Sequence, residues 1–284
     1  MRAKGELKKI SVIPQIILLC VLAVLLLMVF FPLIMTLIKS VKTPTQDTYK
    51  PFELTFPFCW ENYSIAWLYV SPLISNSLFI AIMDTIGSLI LASVTAYGFT
   101  RFKFPGREII FMAIISLMMI PGSLTMIPKY IMIRDFRLIN KYFGVILPGM
   151  IAGLPFRLLL LRTFFNGVPN DLFEAAEIDG ANHLHQFFHI MIPMCIPILA
   201  TICMNNFLQS WNELLWPRLI LLDENLQTIP IGLASFTQNY QTITGGTMGA
   251  PLAGYIIVSI PLVILFAFTS KQFVRGLTSG AFKM

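Results

Sequence analysis

The feature that most constrains this chain is a set of apolar runs too long for a soluble core. The longest, Ile13 to Ile38, contains no charged residue. A helix rises about 1.5 Å per residue, so about 20 apolar residues cross a hydrocarbon layer roughly 30 Å thick. Comparable runs recur, and six spans are predicted, at about 13–38, 73–98, 108–127, 143–165, 194–222 and 251–270. Charged side chains make up only 12% of the 284 residues, about half the roughly 25% usual for a soluble domain. The mean hydropathy is +0.77. The expectation is an all-α polytopic membrane protein with six transmembrane helices.

The net charge of +6 does not point to nucleic acid, because the basic residues sit at the ends of apolar runs rather than along one face. Such residues orient a membrane protein: Lys and Arg accumulate on the cytoplasmic side. Arg2, Lys4, Lys8 and Lys9, then Arg101, Lys103 and Arg107, then Lys271, Arg275 and Lys283 all fall on one side of a six-span topology. Both termini are therefore expected in the cytoplasm, with the chain crossing a cell membrane several times. Lys129, Arg134, Arg137 and Lys141 oppose this placement, and an interfacial helix would reconcile them. The first run is too long for a signal-peptide core and no small-residue cleavage site follows it, so it reads as a retained span.

The cysteines, Cys20, Cys59, Cys195 and Cys203, form no Cys-x-x-Cys pair, and three lie inside apolar runs. That spacing suits neither a disulfide framework nor a zinc site. His183, His185 and His189 cluster without the supporting ligands of a metal motif.

The stretch 166–193 is the longest loop expected inside the cell. Asp171 reads as a helix N-cap with Glu174 as its capping-box partner, and Gly180 as the stop. Ala175 and Ala176 leave a small face that could fit a groove on another protein. An ordinary interfacial helix satisfies the same residues equally well.

Glu174-Ala175-Ala176, three residues, Gly180, nine residues, then Ile190-x-Ile192-Pro193 resembles the Glu-Ala-Ala loop of ABC importer permeases. Only Ile192, where that pattern has Leu, departs. Trp211-Asn212-Glu213-Leu214-Leu215-Trp216-Pro217 resembles the signature of carbohydrate-uptake permeases. The tail Gln272 to Ala281 resembles the ending of their smaller, maltose-permease-type subunit, as do Asn76-Ser77-Leu78, Gly106-Arg107 and Met119-Ile120-Pro121. Met248 to Gly254 departs from that family by lacking a Trp and gaining Pro251.

This resemblance implies a type I ABC importer permease fold. It divides the chain into 1–72 (N-terminal tail, first span and external loop), a transmembrane domain at 73–270, and a cytoplasmic tail at 271–284. It implies that Glu174, Ala175, Ala176, Asp179, Gly180 and Ala181 contact a cytoplasmic ATPase dimer. The implied partners also include a homologous second permease, an extracellular or periplasmic solute-binding protein, a sugar and membrane lipids. The chain lacks a Gly-x-x-x-x-Gly-Lys-Ser/Thr phosphate loop. ATP and Mg are thus expected to be used by the partner ATPase, with no cofactor in this chain and no enzymatic activity of its own.

Charged and amide side chains within spans usually face a cavity or one another. Asn76, Asp84 and Ser88 recur at helical spacing in the second span. The fifth carries Asn205, Asn206, Gln209, Asn212 and Glu213, with Trp211 beside them. These residues suit a pathway for a hydroxyl-rich, stackable sugar, and equally suit polar contacts between helices. In maltose-type systems the larger permease supplies most sugar contacts. Arg157, in the fourth span, is expected to pair with one of the acids. A gradient-driven transporter and a membrane enzyme are the competing classes. The first would call for internal repeats and the second for a catalytic cluster, and neither is visible.

Overall fold

A computed structural model describes residues 12–281, with side-chain surroundings for 14–268 and for Ser270. Arg2, Lys4, Lys8, Lys9 and Lys283, on which the expected orientation draws, lie outside the described residues, as do the side chains of Lys271 and Arg275. Among the described residues the regular elements are helices: α1 (Val12–Ser40), α2 (Pro44–Tyr49), α3 (Glu61–Arg101), α4 (Arg107–Ser116), α5 (Met126–Asp135), α6 (Tyr142–Ile151), α7 (Leu154–Phe165), α8 (Asp171–Ile178), α9 (His183–Gln186), α10 (Ile192–Met194), α11 (Ile196–Asn212), α12 (Leu215–Ile220), α13 (Ile229–Thr244) and α14 (Gly249–Ala281). A π-helical turn at Phe187–Met191 joins α9 to α10.

Three helices are long and apolar enough to cross a membrane alone: Pro14–Ser40, Glu61–Arg101 and Gly249–Phe268. Two bent pairs raise the number to five. The α6–α7 pair bends by 45°, and His183–Met194 meets Ile196–Asn212 at 80°. The described helices thus support three to five crossings, against the expected six.

The difference lies at proline. Residues 108–127 do not form one helix. Pro121 disfavours helical backbone in the residue before it, and Ile120 is extended at φ −85°, ψ 116°. α4 therefore ends in a short 3-10 turn at Leu117–Met119. The predicted fifth span, 194–222, stops at Asn212 for a related reason. A helix continued through Pro217 would drive its ring into the carbonyl four residues back, that of Glu213. Glu213 is instead extended, and its carboxylate accepts from the amides of Leu215 and Trp216 at 3.1 and 3.2 Å, capping α12. The α6–α7 bend sits at Gly153, whose φ of +72° is left-handed.

The chain forms two units: residues up to Leu68 with Thr237–Ile257, and Tyr69–Phe236 with the segment from Val258 onward. In the first, the Asn62 amide donates to the carbonyls of Ser40 and Lys42, both at 2.9 Å. A Cβ on Gly249 would lie 2.9 Å from that Lys42 carbonyl, so only glycine fits there without a shift. The α1 side chains are exposed along its apolar window, as lipid-facing side chains would be.

The second unit contains two apolar clusters. Ala92 and Ala96 of α3, Leu158, Leu161 and Phe165 of α7, Met191, and Ile198 and Ile202 of α11 form the larger. Small residues on α3 let neighbouring helices approach closely. Ile80, Ile133, Val145, Ile146, Trp216 and Ile220 form the other. A clamp joins this second cluster to the loop before α13. The Asn76 amide donates to the carbonyls of Asn225 and Gln227 at 2.8 and 3.0 Å, and its oxygen accepts from the Tyr142 hydroxyl at 2.8 Å. Ser77 accepts from the Ile229 amide at 2.8 Å. Replacing Asn76 by Ala removes three bonds at a buried site and should destabilise the chain by about 1–3 kcal/mol. A lowered melting temperature in detergent, with faster proteolysis near residues 222–230, is the expected result.

Candidate functional site

The interior of the second unit is polar where α3, α7 and α11 meet. Asp84, Thr85, Ser88, Arg157 and Asn206 are all buried. The Asn206 side chain stands between the two charged groups. Its oxygen accepts from the Arg157 guanidinium. Its nitrogen lies within hydrogen-bond distance of Asp84 Oδ2 and Thr85 Oγ1 at 3.3 Å, and of Ser88 Oγ at 3.4 Å. Arg157 and Ser88 also donate to the Met150 carbonyl, at 3.4 and 3.3 Å. That carbonyl lies in the last turn of α6, where helical acceptors lose their partners. The network therefore closes the broken α6–α7 pair as well as pairing buried charge. Gly149 belongs to the same arrangement: a Cβ there would come within 2.7 Å of Asp84 Oδ1.

Arg157 was expected to pair with an acid. Its hydrogen bond goes to Asn206, and Asp84, on the other end of that amide, is the acid that balances its charge electrostatically. Trp211, expected beside a sugar path, is buried and stacked on Phe207 with ring centroids 5.6 Å apart. Among the predicted pathway residues, Asn76, Asp84 and Asn206 are buried and bonded. Glu213 caps α12. Asn205, Gln209 and Asn212 share the exposed face of α11. An inner cavity of about 180 Å³ is lined by Asp84, Arg157, Asn206, Gln209 and Glu213.

The loop helix α8 is a second candidate. Asn170, not Asp171, occupies its N-cap position, and no side chain caps it. The reason is local: Asn170 Oδ1 is taken by the Arg101 guanidinium at 2.8 Å. Asp171 and Glu174 lie in the first turn, where negative charge is favoured. The C-terminus follows the expected glycine stop. Gly180 has φ +79°, its amide donates to the Glu177 carbonyl at 3.0 Å, and the Ala181 amide to Ala176 at 2.8 Å. This is the paired closure of a Schellman motif.

Arg101, at the end of α3, holds α8 in three ways. It bonds Asn170, lies 3.9 Å over the buried Phe173 ring, and approaches Glu177 at 3.8 Å. The fully buried Gln186 reaches Glu177 at 3.4 Å and the Ala181 carbonyl at 3.3 Å. Its oxygen accepts from the Tyr97 hydroxyl at 3.4 Å. The sequence marked Arg101 only as a topology charge and did not mark Gln186. The one available signal was a lone amide before an apolar run. On the outer side, Glu174, Ala175, Asp179 and Gly180 are exposed, and Ala176 and Ala181 half-buried. A shallow cavity of about 290 Å³ is lined by Ala176, Asp179, Gly180, Ala181, His185 and Ile190. His185 and His189 stack with centroids 4.0 Å apart.

Broken apolar helices, a charged interior and a helical loop fixed to one end define a class: polytopic membrane proteins with a polar core. Comparison with known proteins narrows it. The chain belongs to the family of binding-protein-dependent transport system inner membrane components, whose model matches residues 88–279. It is 32% identical over 261 residues to the probable ABC transporter permease protein YurM of Bacillus subtilis, covering 91% of this chain and 85% of that one. It is also 32% identical over 263 residues to the arabinooligosaccharides transport system permease protein AraQ of Halalkalibacterium halodurans, covering 89% and 91%. In fold it resembles a chain of a bacterial ABC transporter involved in the import of the acidic polysaccharide alginate. The TM-score is 0.80 and the identity 23%, over 92% of this chain and 96% of that one.

Asn206→Leu keeps the volume of the side chain and removes both ends of the bridge. Removing a bridging partner of a buried charge pair costs about 3–5 kcal/mol, so this variant should unfold at a markedly lower temperature in detergent than wild type. Arg101→Ala should leave that core intact and raise hydrogen exchange across 170–181. An unchanged exchange rate would show that α8 is held by other contacts.

Proposed function

We propose that this chain is one of two permease subunits of an ATP-driven bacterial sugar importer. In this reading it forms half of the pathway and couples to a separate ATPase dimer through α8. The observation that carries the proposal is the exposed face Glu174, Ala175, Asp179 and Gly180, presented by a helix tied to the end of α3 through Arg101. Family membership supports the transport role and the binding-protein partner. The relative described as an arabinooligosaccharide permease supports a carbohydrate substrate.

Asn205, Gln209 and Asn212 line the path, on the one polar exposed face of α11. The segment 107–135 supplies a broken third crossing, giving six in all, with both termini and α8 in the cytoplasm. Nucleotide binding closes the ATPase dimer, draws two loop helices together and turns the pathway outward; release reverses it. Each ligand drives the change by its differential affinity for the two states.

Gly180 tests the loop. Its surroundings are open, so a side chain there meets no clash. The cost of substitution comes from its left-handed backbone, which β-branched residues adopt poorly and Asn tolerates. Gly180→Val should reduce ATP-driven uptake at least tenfold in proteoliposomes holding the full complex, whereas Gly180→Asn should retain most of it. Normal uptake by the Val variant would remove the coupling role. Substrate uptake by this chain alone, with no ATPase present, would replace the importer reading with gradient-driven transport.

A further inference from the structure

A second, larger cavity of about 450 Å³ also borders Arg157. That volume falls in the range of small-molecule sites, roughly 300–1,000 Å³. Gly153 with Phe156 and Arg157 of α7 forms one wall, and Thr201, Asn205 and Gln209 of α11 the other. Two observations set it apart from a gap between helices. The Asn205 and Gln209 amides, one turn apart and exposed, make no hydrogen bond among the described residues. Beside them Phe156 is 48% exposed. Hydrocarbon cannot satisfy free amides, and each left unpaired there costs several kcal/mol. This face must meet water, a ligand or another protein.

We infer that this cavity is a subsite for one neutral glycosyl ring of the transported substrate, with Phe156 as the stacking platform and Asn205 and Gln209 as hydroxyl partners. The inference rests on the importer reading above. A sugar ring offers an apolar C–H face and a rim of hydroxyls. An aromatic ring beside two amides matches both parts, since each amide donates and accepts. Neutral substrate is favoured by the charge arrangement. Arg157 backs the cavity, but its guanidinium is engaged by Asn206 and the Met150 carbonyl. Its charge is balanced through Asn206 by Asp84. An incoming carboxylate would therefore find no unmatched cation. The break at Gly153 has a direct consequence here: it turns the start of α7 so that Phe156 stands on the cavity wall while Arg157, the next residue, reaches the polar core.

The test uses proteoliposomes containing this chain with the second permease, ATPase dimer and binding protein of its complex. The probes are radiolabelled neutral arabino-, galacto- and malto-oligosaccharides and, separately, uronate oligosaccharides. Wild type should take up a neutral member in preference to the uronates. Phe156→Ala should lower that uptake at least fivefold, Phe156→Trp should restore it to within twofold, and Phe156→Leu should not. Asn205→Leu should lower uptake of the same sugar independently. If Leu restores uptake as well as Trp does, Phe156 packs against the second permease and the subsite is wrong. The same holds if Phe156→Ala transports like wild type. Preference for uronates overturns the neutral class. If the wild-type complex imports none of the probes, the importer reading fails first and the subsite falls with it.

Discussion

Two opposite charges buried in a membrane-crossing bundle are tolerable only if each is matched and hydrogen-bonded. In this chain one neutral amide meets that condition. Asn206 accepts from Arg157 and donates toward Asp84, so α7 and α3 are joined electrostatically through α11. The neighbouring bonds reinforce the same point. Arg157 and Ser88 both reach Met150, a carbonyl in the last turn of α6. The break between α6 and α7 thus depends on the charge network for its closure, and the network depends on the break for the approach of Arg157. Gly149 fits because any side chain there would press on Asp84.

The breaks themselves follow from proline and glycine acting on largely apolar helices. Pro121 ends α4 and Pro217 separates α11 from α12, each through a steric conflict with preceding backbone. Gly153 turns α7 by adopting left-handed backbone. A straight helix would satisfy more backbone bonds, so each break needs compensation. Glu213 supplies it at α12, and Arg157 with Ser88 at α6. Polar side chains sit beside the breaks because the breaks free backbone groups for them to bond.

Much of this was legible beforehand, and the limits have definite causes. Apolar run length showed a helical membrane protein and located α1, α14 and the apolar part of α3; that helix begins at Glu61 rather than at 73, with Pro72 inside it. It overran at 108–127 and 194–222, because hydropathy averages across a proline that geometry does not. The loop helix and its Gly180 stop were legible from local backbone chemistry. Its N-cap was placed one residue late, since Asn170 is held by Arg101, sixty-nine residues away in sequence. Helical spacing found Asp84 and Asn206, but not that they bond to each other through space. Phe156 carried no signal at all. Its role depends on a bend that exposes one side of an apolar helix.

The long helix α3 connects the two candidate regions. Asp84 and Arg101 lie on it about 25 Å apart along its axis, at about 1.5 Å per residue. Asp84 belongs to the charge network and Arg101 holds α8, so both regions are anchored on one continuous rod. α7 contributes Arg157 to the network and Leu161 and Phe165 to the cluster that also contains Phe173 of α8. In the importer reading proposed above, a displacement of α8 would reach the polar core along both α3 and α7. Coupling over such a distance needs a physically continuous path with discrete arrangements. The Asn206 bridge is the place where those arrangements would differ, because α11 cannot move away from α3 or α7 without exchanging its amide contacts for others.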